Sequence, residues 1–160
     1  MLTPEQQVTL KAAILADNAI SGTTPGPDGA FAIADYLNVT ASPAFIVWRS
    51  DVDPDEIMKN GMDWTQVDNL SVGKARIWDW LTRLGVINAS KPNVRAGIDA
   101  TWVGTAAMLA VRASIYTHCK RSANRVEKVF AIGTGTDATP ATMGYEGLVS
   151  YQDIKDTMGW

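Results

Sequence analysis

Cysteine and histidine each occur only once in this 160-residue chain, as Cys119 and His118. A single thiol excludes an internal disulfide and fits a reducing compartment. One imidazole and one thiol provide too few ligands for a zinc centre. As helix neighbours the two would point about 100° apart, so they do not compose a Cys–His dyad. A serine triad would have to use the same histidine, and no Gly-x-Ser-x-Gly elbow accompanies it. Charge is scarce as well: 19% of residues are Asp, Glu, Lys or Arg, below the usual quarter or so. The 14 Lys and Arg are scattered and the net charge is −3, which leaves no electrostatic footprint for sequence-specific nucleic-acid binding. No apolar run approaches the roughly 18 residues of a membrane span. The opening MLTPEQQ lacks the basic and apolar stretches of a signal peptide, so the reading is a protein made in a cytoplasm.

What the chain does have is apolar and aromatic bulk. Hydrophobic residues make up 46%, with six Trp and six Met, enough to bury a core and still leave contact surface. Thr3, Pro4 and Gln6 form a helix start with capping-box spacing, followed by an apolar stripe ending near Asp17. Ser21–Gly29 is a Gly/Pro loop, and a short helix is expected over Ala30–Leu37. Pro43 forces an extended passage through Phe45–Trp48, either a short strand or a buried crossover. Asp53–Pro54 opens another helix, which stops near Asn60–Gly61. Ser71 caps a helix over Val72–Leu84, on which Asp79 and Arg83 are spaced for an exposed ion pair. Trp78 and Trp80 cannot share one face of that helix, so at least one must look away from its core stripe. Pro92–Gly104 and Thr105–Arg121 are two helices, or one broken at Gly104. The second is apolar nearly all round, the pattern of a central helix. Ser122 is read as the cap of a helix running to about Ile132.

Two patterns resemble ligand sites. Asp51, Asp53 and Asp55 start like a calcium loop, but Glu56 stands where glycine is required and Met62 where a bidentate glutamate is required. Capping explains these residues better. Gly133, Gly135 and Ala138 match a dinucleotide fingerprint after the strand-like VFAI. Only 22 residues follow Ala138, and Pro140 and Gly144 spoil the helix that should come next, so a turn is the better reading. Beyond it, Thr142–Ser150 is expected to be an extended arm or strand and Tyr151–Met158 a last helix. The arm either folds back on its own domain or pairs with another subunit.

Four strings carry a resemblance: VWRSDV, GMDWTQVDNLSVGKARIWDWL, RAGIDATWVGTAAMLAVRASIYTHCKR and GTGTDATPATMGYEGLVSYQDI. Together, over Ala44–Asp153, they resemble a family of small proteins encoded among the virion structural genes of tailed bacteriophages and prophages. The resemblance implies a non-enzymatic virion protein without cofactor or metal, and among its roles a head-to-tail connector: an adaptor or head-completion protein. Its partners would be further copies of itself in a ring, the phage portal, and tail or nozzle proteins. A tail-completion or minor capsid role is the alternative, and a nucleotide-binding module a remote one. The fold expected is mainly α, a helical bundle over residues 1–132 with an extended or β arm and short helix over 133–160. The residues expected at the interface are Gly133, Gly135, Met143, Tyr145, Leu148 and Tyr151.

Overall fold

A computed structural model describes all residues, Met1–Trp160. The fold is mainly α, with nine helices and one two-stranded sheet: α1 (Pro4–Ala16), α2 (Pro27–Asn38), β1 (Ile46–Trp48), α3 (Pro54–Lys59), α4 (Trp64–Asp68), α5 (Val72–Thr82), α6 (Pro92–Thr101), α7 (Ala106–His118), β2 (Lys120–Ser122), α8 (Arg125–Phe130) and α9 (Tyr151–Met158). No helix is long and apolar enough to cross a membrane.

The chain divides into two compact units, Met1–Val47 with Ser122–Trp160, and Trp48–Arg121. This differs from the expected boundary at residue 132, because the C-terminal stretch packs with the N-terminal helices. Four helices make the first unit. α1 starts on the Thr3/Gln6 capping box, which satisfies two otherwise orphaned backbone amides. α2 starts at Pro27, three residues earlier than its apolar stripe suggested, since Pro is suited to the first helical turn. Leu10, Ile14, Ile33, Leu37, Val126 and Ile154 meet in its core.

The segment between α8 and α9 is extended and folds back on this unit. Ile132 and Thr142 form an antiparallel bridge, and the Gly144 amide donates to Phe130 O at 3.2 Å. Further along, side chains hold the segment in place of a partner strand. Asn38 both donates to Val149 O and accepts from Val149 N, each at 2.9 Å. Glu127 Oε1 accepts from Gly147 N, and Asn124 Nδ2 donates to Gly147 O, both at 3.0 Å. These contacts satisfy backbone groups that would otherwise be orphaned on burial. Asn124, not Ser122, caps α8 through its own capping box; Ser122 lies in β2.

The second unit surrounds Trp102, which is fully buried and meets Trp78 edge to face at 5.4 Å. Ile87, Ile98, Ile115 and Cys119 fill the space around the pair. α6 and α7 are separate helices, the second capped by the Thr105 hydroxyl. The apolar composition of α7 overstates its burial: only Val111 and Ile115 are buried within it, and Leu109 faces solvent. It therefore lies at the edge of its unit and is not central to it. α4 was not visible in the apolar pattern because none of its residues is buried.

Candidate interaction surface

Of the six residues expected at an interface, four serve the packing of the first unit. Gly133 has φ +125°, and Gly135 has φ +67°. A side chain at Gly135 would overlap the Phe45 ring, and its carbonyl accepts from Ile46 N at 2.7 Å. Met143 packs against a small cluster of Val47, Ala123 and Ala141. Tyr145 lies 5.4 Å from the Phe130 ring, and its hydroxyl donates to Leu148 O at 2.6 Å. Burial, then the carboxylates of Asp153 and Glu127, pushes that phenol above its ordinary pKa.

Leu148 and Tyr151 do reach the surface, 64% and 38% exposed. Tyr151 does not stand alone there. It stacks on Phe31, itself half-exposed, with ring centres 4.5 Å apart and planes 20° from parallel. Ala30, Ile33, Ala34 and Leu37 form the buried stripe of α2, while Phe31 stays half-exposed beside it. Ile132, 77% exposed, is a further large apolar side chain on this unit left to solvent.

On the second unit, Trp80 is exposed while Trp78 is buried, the split required by their two-residue spacing. Leu84, four residues beyond Trp80, is exposed too, as are Val86 and Trp64. The Asp79–Arg83 pair forms on the same helix at 2.8 Å, an exposed interaction that contributes about 0.3–0.5 kcal/mol.

The residues with potential chemistry are engaged in structural contacts. His118 Nε2 lies 3.1 Å from Asn60 O and Nδ1 lies 3.5 Å from Glu56 Oε1. Glu56 accepts two bonds from Arg49 Nη1, at 2.9 and 3.0 Å, and that contact holds its carboxyl below the ordinary range. The same Nη1 donates to His118 O at 3.1 Å. Cys119 is fully buried, and burial pushes its thiol up to about 12, far from the thiolate that nucleophilic chemistry needs. Asp51 contacts Arg49, Asp53 caps α3 and Asp55 pairs with Lys59, so the acidic run is divided among three local tasks. No group of three or more His, Cys, Asp and Glu is placed to hold a metal ion. Around Gly133 and Gly135 the hydroxyls of Thr134, Thr136 and Thr139 close a turn on themselves, and no helix begins there to receive a phosphate. No family model, curated protein or solved structure matches the chain.

Proposed function

We propose that this chain is a non-enzymatic structural protein of a tailed-phage virion, and within it a ring-forming adaptor that joins portal to tail. The observation that carries the reading is the stacked, half-exposed pair Phe31–Tyr151, with Leu148 exposed three residues before Tyr151. Aromatic and aliphatic side chains left in water at this level are the raw material of protein–protein contact, and aromatic anchors dominate such interfaces. Trp80 and Leu84 offer the same chemistry on the second unit. The phage setting of this reading is supported by the resemblance of the four long strings to phage virion proteins.

The test is assembly. The purified chain should sediment as an oligomer, alone or with purified portal, and should be found by mass spectrometry in purified particles. Deleting residues 133–160 is a poor probe, because Val149 and Ile154 belong to the core of the first unit. L148E and Y151E change surface residues and should weaken association while far-ultraviolet circular dichroism stays unchanged. A chain that stays monomeric and ignores portal overturns the adaptor reading. Co-sedimentation with tail tube or capsid protein in place of portal would favour the tail-completion or minor capsid role.

A further inference from the structure

Arg125 and Lys128 lie one turn apart on α8, and both line a cavity of about 290 Å³ within the first unit. Neither has a carboxylate within ion-pair distance. Such an arrangement is unexpected in an acidic protein, since like charges at this spacing on a helix repel each other. The guanidinium of Arg125 lies over the Tyr36 ring, 3.8 Å from its centre. Its one side-chain hydrogen bond runs from Nη1 to Tyr36 O, at 3.1 Å. Most of its donor capacity is unused, and the stacking has already ordered it. Lys128 is exposed, with its ammonium 5.6 Å from the Phe45 ring centre.

A third charge lines the same cavity, the carboxylate of Asp17. It is internally satisfied: Oδ2 accepts from the Tyr36 hydroxyl and Oδ1 from Ala19 N, each at 3.0 Å. Asp17 therefore does not neutralise the cations at contact distance, but it sets the balance. Two cations and one carboxylate leave a single positive charge over, which suits a monoanion better than a phosphate dianion. The α8 backbone is already committed, with Arg125 N donating to Val39 O and Lys128 N to Asn124 O. Contact with an anion thus falls to the two side chains. Ala13, Ile20 and Leu37 supply an apolar wall.

We propose that this cavity binds a small monocarboxylate, its carboxylate bridging Arg125 and Lys128 and its apolar stem lying against Ile20 and Leu37. At about 290 Å³ the cavity falls just below the usual ~300–1,000 Å³ of sites for drug-sized ligands, which suits a short stem. The inference does not depend on the assembly reading.

Hexanoate is the probe, with 1-hexanol and acetate as controls lacking the charge or the stem. In a titration followed by amide chemical shifts at low salt, hexanoate should give saturable shifts at Tyr36, Leu37 and Ala41. Both controls should bind at least about tenfold more weakly, a difference of about 1.4 kcal/mol. K128Q changes an exposed side chain and should weaken hexanoate binding by a similar factor. A13L leaves every charge in place but fills the cavity, and should abolish binding. The proposal is overturned if hexanoate gives no saturable shift, if 1-hexanol binds as well as hexanoate, or if either variant binds hexanoate as the parent chain does.

Discussion

Tyr151, the first residue of α9, stacks on Phe31 in the first half of α2, with 4.5 Å between ring centres. The contact joins the start of the last helix to a helix more than 100 residues earlier in sequence. Stacked pairs contribute about 0.5–1.5 kcal/mol beyond the area they bury. Exposure puts this pair at the lower end. A double-mutant cycle of F31A and Y151A in urea denaturation should give a coupling of about 0.5 kcal/mol. A coupling of zero would mean that the two rings contribute independently, each through its own burial.

Thr157 is buried within α9, and its hydroxyl has no hydrogen-bond partner. An unsatisfied buried polar group costs about 1–3 kcal/mol. Valine keeps the shape and removes the hydroxyl, with a helix propensity close to that of threonine. T157V should therefore raise the stability of the first unit by about 1 kcal/mol. T157S, which keeps the hydroxyl and loses the methyl, should lower it. Destabilisation by T157V would show that the hydroxyl has a partner, such as a buried water.

Helix starts were the most legible feature of the chain, because their signals are local. The Thr3/Gln6 box, the Asp53–Pro54 start and the Ser71 cap all mark observed first turns. The final helix runs over Tyr151–Met158 as its sequence suggested. Features set by distant partners were not legible. β1 and β2 have three residues each, too few for a period, and their strand character comes from pairing across some 70 residues of intervening chain. For the same reason Ser122 was read as a cap when it is the end of a strand. The extended nature of 142–150 was evident from its glycines. What holds it was not, because Asn38, Asn124 and Glu127 have no sequence pattern relating them to Gly147 and Val149. The candidate surface was partly legible: Tyr151 and Leu148 are exposed, whereas Gly135 and Tyr145 serve internal packing.

The buried thiol of Cys119 should be inert in the folded protein. Burial is the main cause of its raised pKa; Arg49 pulls it down and Glu56 pushes it up. At pH 8 the thiolate fraction is minute and the sulfur is inaccessible, so Ellman's reagent should label native protein only as fast as the second unit opens. In denaturing urea the same thiol should react fully within minutes. Rapid stoichiometric labelling of native protein would contradict the burial of this residue.

Glu56 gives the second unit a predictable response to acid. Hydrogen bonding to Arg49 is the main cause that lowers its carboxyl pKa, burial opposes that effect, and the charge of Arg49 reinforces it. A carboxyl whose folded pKa lies below its ordinary value of 4.5 releases its proton more readily in the folded state. Its stabilising contribution is therefore complete above 4.5 and is lost as pH falls through the lower, folded value. E56Q removes this linkage, so its stability should depend less steeply on pH below about 5 than the parent's does. Asp153 sets up the same dependence in the first unit. Burial raises its pKa, but bonds from the Ser150 hydroxyl and amide, the charge of the N-terminal ammonium and a bond from the Leu2 amide together leave it lowered. Tryptophan fluorescence separates the two units, because Trp160 is the only tryptophan in the first and the other five belong to the second. In a W160F background every remaining tryptophan lies in the second unit, and there E56Q should flatten the acid limb of the emission. Equal acid sensitivity of the E56Q and parent chains would show that the Arg49–Glu56 contact adds no stability that acid can remove.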